Sequence, residues 1–285
     1  MSYWQNKVAI VTGGSSGLGL AIAQRLFAVG GTVVMAARDQ SRLQKGVEIV
    51  RANRTELNAA GPVKGSGIER RGVIGIAADI TRDEQVTSLI QQTLDRFGQL
   101  DMLVNCAGKS GRGKVLETTP QQFQEMWELN FLALVRCTRA SAPHLLKSRG
   151  HLVNIGSLAS KAAAKYLGAY PATKFAVAAY TQQLRLELEP EGLHVLLVCP
   201  GPIKREDSSE RYADKANNLP ESARQPGGGV KLKGIEPDRL AGKILSACER
   251  RKKELVVPCR SRMLFAMSQL SPSLGDWVVN RMTDR

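Results

Sequence analysis

The sequence is poor in the residues that build metal sites and disulfide frameworks. Its 285 residues include five cysteines and three histidines, and no two cysteines form a Cys-x-x-Cys pair. Structural zinc sites and disulfide-stabilised domains depend on closely spaced ligands or cysteines. We therefore expect no bound metal, and reduced thiols as in the cytoplasm.

Long hydrophobic runs are also missing. No stretch approaches the roughly 18 consecutive apolar residues that a membrane span requires. Residues 1–7 lack the cationic and then apolar pattern of a secretory leader. The sequence thus gives no indication of secretion or membrane insertion, and we expect a cytoplasmic protein.

Acidic residues are outnumbered by basic ones. The chain has 40 Lys and Arg against 26 Asp and Glu, a net charge of +14 and a pI near 9.8. Such a protein attracts anions, among them nucleic acid, acidic lipids and phosphorylated cofactors. Aromatic residues make up only 5% of the chain. They do not interleave with the basic residues as in nucleic-acid modules, so we expect no nucleic-acid partner.

Short apolar runs alternate with longer segments of helical periodicity. Strands are predicted over residues 7–12, 32–37, 73–78, 100–105, 151–156, 193–199 and 254–258. Helices are predicted over residues 17–29, 41–53, 82–97, 120–147, 168–189 and 237–251. Because the strands are apolar throughout and helices separate them, we predict an α/β fold. In this fold helices cover both faces of one doubly wound parallel sheet of about seven strands.

Two segments interrupt this alternation, and a third extends beyond it. Residues 54–72 are rich in glycine and charge and are predicted to form a surface loop. Residues 203–234 follow the sixth strand at the end of the sheet where ligands bind, so we expect them to cover a substrate. We assign residues 1–258 to a single domain and residues 259–285 to a C-terminal extension. Three interpretations of the extension are open. It packs across a subunit interface or over the active site, it binds a membrane surface as a basic amphipathic helix, or it is a loosely ordered tail.

A glycine-rich segment links the first predicted strand to the first predicted helix. It reads Thr12-Gly13-Gly14-Ser15-Ser16-Gly17-Leu18-Gly19. Glycine lets the backbone turn sharply and approach a diphosphate, and the helix that follows directs its free N–H groups at the anion. A tight turn without a ligand is the alternative, but the order of strand, glycines and helix favours a dinucleotide. The predicted contacts are Gly13, Ser15, Ser16, Gly17, Leu18 and Gly19.

The residue after the second predicted strand indicates which dinucleotide binds. An acidic residue at this place would hold an unmodified ribose 2′-hydroxyl, but the sequence has Arg38. A guanidinium pairs with a 2′-phosphate through a charge-assisted fork, so we predict NADP(H) rather than NAD(H). Arg42, one turn later, would assist. The alternatives are that Arg38 is solvated at the surface or that Asp39 takes the acidic position.

Three polar residues are candidates for acid–base chemistry in the same crevice. Tyr170 and Lys174 stand four residues apart on a predicted helix, which places both side chains on one face. A tyrosine is a poor base at its ordinary pKa of about 10, but a neighbouring ammonium would lower that pKa. Ser157 ends the fifth predicted strand, so its hydroxyl is expected to face the same place.

Together these motifs resemble those of the short-chain dehydrogenase/reductases, over residues 6–204. The glycine-rich segment is similar to the cofactor turn of that family, Asn105-Cys106-Ala107-Gly108 to its Asn-x-Ala-Gly strand end, and Tyr170-x-x-x-Lys174 to its signature. The resemblance implies a Rossmann-like fold. It also implies cofactor contacts from Asp79, Ile80, Asn105, Ala107, Gly108, Tyr170, Lys174, Pro200, Gly201 and Ile203.

The resemblance further implies a catalytic tetrad of Asn130, Ser157, Tyr170 and Lys174. Tyr170 would exchange a proton with the substrate oxygen, and Ser157 would hydrogen-bond that oxygen. Lys174 would lower the pKa of Tyr170 and hold the nicotinamide ribose. Asn130 would anchor a water that relays the proton.

One departure from the family pattern follows the sixth predicted strand. Lys204 and Arg205 stand where the family usually has a threonine that contacts the pyrophosphate. Arg205 would replace that contact electrostatically.

We therefore predict an NADP(H)-dependent oxidoreductase that transfers hydride between nicotinamide and a carbonyl or secondary alcohol. A 3-oxoacyl-acyl-carrier-protein reductase is the alternative among enzymes, and a non-catalytic NADP-sensing interaction protein is the alternative outside them. The expected partners are a small carbonyl or alcohol substrate and further copies of the chain, as a homodimer or homotetramer. Binding of the basic tail to a membrane surface is not the favoured interpretation.

Overall fold

A seven-stranded parallel sheet lies at the centre of the structure. The computed structural model describes residues 2–53, 72–205, 219–220, 223, 229 and 232–283. The strands are β1 (Val8–Thr12), β2 (Thr32–Ala37), β3 (Val73–Ala77), β4 (Met102–Asn105), β5 (His151–Ile155), β6 (His194–Pro200) and β7 (Glu254–Val257). Their order is β3-β2-β1-β4-β5-β6-β7, and every neighbouring pair is parallel. The predicted doubly wound sheet of seven strands is confirmed.

Helices cover both faces of the sheet. They are α1 (Gly17–Ala28), α2 (Gln40–Ala52), α3 (Asp83–Phe97), α4 (Pro120–Trp127), α5 (Ala133–Lys147), α6 (Tyr170–Leu188), α7 (Pro237–Glu249), α8 (Ser261–Leu270) and α9 (Pro272–Thr283). One core cluster joins α1, α2 and α7 to one face, and a second joins α3 and α5 to the other. β1, β4, β5 and β6 are buried along their whole length, which explains their continuously apolar sequences.

The helix predicted over residues 120–147 is divided. Between α4 and α5, Glu128–Leu132 form a π-helical turn. The turn contains Asn130, whose side chain is buried and hydrogen-bonds outside its own helix. A π turn accommodates one extra residue and leaves little trace in hydrophobic periodicity. The predicted bounds of the helical segment, 120–147, are confirmed, but the periodicity did not indicate the π turn within it.

The helix predicted over residues 168–189 begins two residues later, at Tyr170. Gly168 has a φ of +53°, which lies outside the helical region. Pro171 occupies the first turn of α6, where its missing N–H would have had no partner in the helix. Tyr170 and Lys174 thus lie together in the first turns of α6.

The sheet changes its winding direction between β1 and β4. The chain builds outward from β1 to β3, then returns and builds from β4 to β7 on the other side. A crevice opens at such a point beyond the carboxyl ends of the strands, and open α/β sheets bind their ligands there. The glycine-rich turn after β1 and the residues after β4 and β5 therefore meet at this crevice.

Two predicted loops fall largely outside the described residues. Of residues 54–72 only Gly72 is described, and of residues 203–234 the described ones are 203–205, 219–220, 223, 229 and 232–234. The two ends of the second segment meet, because Ile203 and Ile235 form an isolated bridge.

The C-terminal residues form α8 and α9. Phe265 of α8 is buried in a cluster with Val177 of α6 and Val256 of β7, so α8 packs on the same domain. Trp277 of α9 is 58% exposed. Within the described part of the chain, no helix combines the length and the apolar character that crossing a bilayer requires.

A chain of hydrogen bonds fixes the N-terminal segment to the amino end of the sheet. The Tyr3 hydroxyl lies 2.7 Å from Nε2 of His151, the Nδ1 atoms of His151 and His194 are 2.8 Å apart, and His194 Nε2 lies 2.9 Å from the Lys252 carbonyl oxygen. Burial lowers the pKa of both histidines, so both imidazoles are neutral. The Lys252 carbonyl only accepts, so a neutral His194 donates to it, His151 donates to His194, and Tyr3 donates to His151.

Mild acidification is expected to lower the stability of the fold. Burial, together with the neighbouring His194, lowers the pKa of His151 to about 3. An unfolded histidine takes up its proton near pH 6.5, so this contribution to stability is complete above pH 6.5 and is lost progressively between pH 6.5 and 3. From pH 7.5 to 5 we expect the free energy of unfolding, measured by urea denaturation, to fall by about 2 kcal/mol.

The control for this experiment is His144→Gln. His144 lies on α5, outside the chain of hydrogen bonds, so this variant should show the same fall. A free energy of unfolding that did not change between pH 7.5 and 5 would contradict the neutral pair.

Candidate active site

The glycine-rich turn lies against the end of β4 with no room for side chains. A Cβ atom on Gly19 would lie 2.2 Å from the Gly13 carbonyl oxygen, and one on Gly13 would lie 2.9 Å from Cα of Ala107. Gly13 and Gly17 also have positive φ angles, +67° and +53°. Glycine is required here both by the backbone conformation and by the close approach.

The N-terminus of α1 is arranged to receive an anion. Ser16 is the N-cap residue, but its side chain makes no capping hydrogen bond, so it leaves the first N–H groups uncapped. A Cβ on Gly17 would meet the Arg205 guanidinium, 3.8 Å away. A cation beside a helix N-terminus is repelled unless an anion lies between them. The turn, to which the half-buried Ser15 also belongs, therefore fits the diphosphate of a dinucleotide.

The hydroxyl of Thr12 joins the ends of β1 and β4. Its Oγ1 accepts hydrogen bonds from the N–H groups of Cys106 and Ala107, at 3.0 and 3.2 Å, and donates to the Val104 carbonyl at 3.3 Å. Sequence patterns did not single out Thr12 as a functional residue, because its partners lie more than 90 positions away. It supports the crevice by satisfying two N–H groups that no strand partner reaches.

Two predicted cofactor contacts have side chains that are engaged elsewhere. The Asn105 amide donates to Asn154 and to Thr138, at 2.9 and 3.1 Å, which ties β4 to β5 and α5. Ile80 is buried in the core cluster that contains α3. These side chains support the crevice rather than line it.

Arg38 and Asp79 lie together at the outer rim of the crevice. Arg38 follows β2 and is exposed, while Asp79 accepts hydrogen bonds from the N–H and the hydroxyl of Thr81. Burial raises the pKa of Asp79, but the Thr81 hydrogen bonds and the charge of Arg38 outweigh it, so the pKa lies below its usual value. The Asp39 carboxylate is engaged as the N-cap of α2, accepting from the Arg42 N–H at 2.9 Å.

Ser157, Tyr170 and Lys174 line one cavity of about 220 Å³. The predicted cofactor contacts that share its wall are Leu18, Gly108, Pro200, Gly201 and Ile203. The cavity thus lies among the carboxyl ends of β4, β5 and β6 and reaches α1. The structure brings the predicted acid–base residues and the glycine-rich turn to one space.

The Lys174 ammonium is buried beside the Tyr170 ring. It lies 5.9 Å from the ring centroid and donates to the Ile155 carbonyl at 2.8 Å. Burial lowers the pKa of Lys174 to about 8. A phenolate on Tyr170 would be stabilised by this charge and would in turn favour the ammonium form. Ser157 follows β5 and precedes a short 3₁₀ turn, Leu158–Ser160. Its Oγ accepts a hydrogen bond from the Ala159 N–H at 3.1 Å.

Asn130 holds the segment after β4 against α6. Its Oδ1 accepts from the Lys109 N–H at 2.9 Å, and its Nδ2 donates to the Lys109 carbonyl at 2.8 Å and to Thr173 Oγ1 at 3.2 Å. A Cβ on Gly108 would lie 3.0 Å from the same Oδ1. Asn130 therefore lies behind Gly108 of the cavity wall. It also contacts Thr173, which precedes Lys174 on α6.

The cavity wall also carries Lys109 and Arg112. Sequence patterns did not point to either residue, although Lys109 follows directly after Gly108 at the end of a strand that faces the crevice. The Arg112 guanidinium donates to the carbonyls of Gly111 and Ala223, at 2.7 and 2.6 Å. The second hydrogen bond brings Ala223 of the segment 203–234 to the cavity wall.

Comparison with known proteins identifies the family to which the chain belongs. The family model described as short chain dehydrogenase matches residues 7–216, and the chain belongs to this family of nicotinamide-dependent oxidoreductases. The chain is 32% identical over 256 residues to dehydrogenase/reductase SDR family member 7B of Danio rerio. That match covers 89% of this chain and 77% of the relative.

Solved structures share the fold. A short-chain dehydrogenase/reductase from Burkholderia phymatum in complex with NAD has a TM-score of 0.76 and 24% identity, over 96% of both chains. An alcohol dehydrogenase from Thermococcus sibiricus complexed with 5-hydroxy-NADP has a TM-score of 0.69 and 24% identity, over 88% of this chain and 95% of that one. At this level of identity the likeness concerns the fold alone.

Replacing Gly19 by alanine should disrupt the turn. The added Cβ would lie 2.2 Å from a backbone oxygen. We expect the free energy of unfolding to fall by about 1–3 kcal/mol or more, with weaker binding of a nicotinamide dinucleotide. Urea denaturation and a fluorescence titration measure the two effects.

The matched control is Gly242→Ala in α7. Nothing lies within 4 Å of a Cβ at that position, so alanine should stabilise the helix by up to about 1 kcal/mol. Equal stability of the two variants would contradict the close approach at Gly19.

Proposed function

We propose that the protein is an NADP(H)-dependent oxidoreductase that transfers hydride between the nicotinamide and a carbonyl or secondary alcohol. The observation that carries this proposal is the convergence of Ser157, Tyr170 and Lys174 on one cavity that the first helix after the glycine-rich turn also borders. Hydride transfer to a carbonyl needs a dinucleotide and a proton donor in one crevice.

The residues divide the proton chemistry among them. The nicotinamide, when bound, supplies or accepts the hydride. In reduction Tyr170 donates its phenolic proton to the carbonyl oxygen, and in oxidation it removes the proton of the alcohol. The Ser157 hydroxyl donates to the same oxygen and stabilises the negative charge that develops there. The Lys174 ammonium stabilises the phenolate that remains on Tyr170, and its pKa of about 8 keeps it charged at neutral pH.

Asn130 acts in this proposal as a positioning residue. Family resemblance implies that it anchors a relay water. In the structure, however, its amide oxygen and nitrogen are engaged with Lys109 and Thr173. These hydrogen bonds fix the segment after β4 relative to α6, and so fix Lys174 relative to the cavity.

The proposed cofactor site extends from the glycine-rich turn to the rim of the crevice. The diphosphate binds at the N-terminus of α1, where Arg205 neutralises its charge. Arg38 pairs with the 2′-phosphate, and Asp79 contacts the adenine. Both an NAD complex and a 5-hydroxy-NADP complex occur among the similar structures. The preference for NADP(H) therefore depends on Arg38 and on the engagement of Asp39 as a helix cap.

The wider organisation follows the same proposal. Residues 1–258 form the catalytic domain, and the hydrogen bond of Arg112 to Ala223 supports a substrate-covering role for residues 203–234. All five cysteines are free thiols, which supports action in the reducing cytoplasm. Exposed apolar side chains on α4 and α6 support self-association as a dimer or tetramer. These are Trp127, Phe175 and Leu186.

Replacing Tyr170 by phenylalanine should stop proton exchange and leave NADPH binding intact. We expect kcat for carbonyl reduction to fall by about 10²- to 10⁴-fold. NADPH oxidation followed at 340 nm and a fluorescence titration measure the two properties. Tyr180→Phe is the matched control, because Tyr180 also lies on α6 but packs against Phe131. Full turnover in Tyr170→Phe would contradict the proposal, and NADPH binding without reduction of any carbonyl by the unchanged protein would favour the non-catalytic alternative.

Replacing Arg38 by aspartate should reverse the cofactor preference. Loss of a charge-assisted pair, and repulsion between Asp and the 2′-phosphate, should weaken NADPH binding by about 10- to 100-fold while NADH binding is kept or improved. Calorimetry with both dinucleotides measures this. Arg239→Asp, on the exposed surface of α7, makes the same change in net charge and should preserve the preference. Equal losses for NADPH and NADH in Arg38→Asp would contradict the assignment.

A further inference from the structure

We propose that the cavity selects carbonyl compounds that carry a carboxylate or phosphate group, and that Lys109 recognises this negative charge. The inference rests on the proposed function, because it concerns the substrate of the same site. It makes Lys109 a specificity-determining residue. The substrate class is then an anionic ketone or aldehyde with an apolar portion.

The charge of the cavity wall has one sign. Among the described residues that line it there are four cations and no carboxylate. The cations are Lys109, Arg112, Lys174 and Arg205. Lys174 is committed to the acid–base pair, since its ammonium lies beside the Tyr170 ring and donates to Ile155. Arg205 is committed to the cofactor turn, since its guanidinium lies over Gly17.

Lys109 is the lysine of this wall that remains for the substrate. Asn130 fixes its backbone through two hydrogen bonds, at 2.9 and 2.8 Å. Its side chain is half-buried, and none of the ion pairs between described residues involves it. The preceding Gly108 lies beside the reaction centre, because a Cβ there would be 3.9 Å from Lys174 Nζ. Because Lys109 follows Gly108, its fixed backbone lies close to the acid–base pair, and its side chain lines the same cavity, from which an ammonium can orient a substrate.

The remaining wall determines what else the substrate contains. It is largely apolar, formed by Leu158, Ala159, Ala162, Ala164, Leu167 and Pro202. Apolar surroundings strengthen the attraction between an ammonium and an anion, because they lower the local dielectric constant. A neutral substrate would instead bury the Lys109 charge without a partner, which is unfavourable. The net charge of +14 adds a long-range attraction for anionic molecules.

A charged ketone and its neutral counterpart test the inference. 4-Acetylbenzoate and methyl 4-acetylbenzoate present the same carbonyl and differ in one negative charge. With NADPH and the unchanged protein, kcat/KM should be higher for the acid. Lys109→Gln should raise KM for the acid by about 10- to 100-fold, as expected for loss of a hydrogen bond to a charged group, and leave KM for the ester unchanged. Dihydroxyacetone phosphate against dihydroxyacetone makes the same comparison for a phosphate group.

Two further variants distinguish the effect of the Lys109 charge from a general loss of positive charge. Lys109→Arg keeps the charge and should keep the preference for the acid. Lys243→Gln removes a charge from the exposed surface of α7 and should leave both KM values unchanged. Added salt should raise KM for the acid and not for the ester.

Several outcomes would overturn the inference while leaving the proposed function intact. In one, Lys109→Gln does not change KM for either anion, and in another it raises KM equally for the charged and neutral compounds. In a third, it weakens NADPH binding instead, which would assign Lys109 to the cofactor.

If the unchanged protein reduces none of these compounds, calorimetric binding of 4-acetylbenzoate to the NADP complex decides. Affinity lost in Lys109→Gln supports the inference, and unchanged affinity overturns it.

Discussion

The close approach of the glycine-rich turn to the end of β4 is the contact on which the whole site depends. A Cβ atom on Gly13 would lie only 2.9 Å from Cα of Ala107. The Thr12 hydroxyl also accepts hydrogen bonds from the N–H groups of Cys106 and Ala107, which follow β4. These contacts hold β1 and β4 together where the sheet changes its winding direction. One added methyl group would force them apart, and the crevice lies directly above them.

Asn130 connects the end of β4 to the proposed acid–base residues. The segment after β4 runs from Ala107, which contacts the glycine-rich turn, to Lys109, where Asn130 binds both the N–H and the carbonyl. Its third hydrogen bond reaches Thr173, which precedes Lys174 on α6. These hydrogen bonds connect three elements that lie far apart in the sequence. Their geometry matters in the proposed function, because proton transfer needs donor and acceptor within hydrogen-bond distance.

Local patterns predicted the parts of this arrangement that depend on neighbours in sequence. Continuous apolar runs indicated buried parallel strands, and four-residue spacing placed Tyr170 and Lys174 together. Thr12, the π turn at Asn130 and the neutral histidine pair could not be predicted in this way. His151 and His194 meet only because β5 and β6 pair in the register that aligns them. Such contacts depend on tertiary structure, for which a single sequence contains no periodic signal.

In the proposed function, the positive charge of the cavity wall connects the cofactor site, the acid–base residues and the substrate site. Burial lowers the pKa of Lys174 to about 8, so its charge is held at a desolvation cost. In the two proposals, a diphosphate binds near Arg205 and a substrate anion binds near Lys109, which would balance the positive charge of the cavity wall. A phenolate on Tyr170 would be stabilised by the neighbouring Lys174 ammonium. Ligands that bind only the folded state also stabilise it. In the proposed function the cations of the cavity wall thus hold the cofactor, assist the proton transfer and select the substrate.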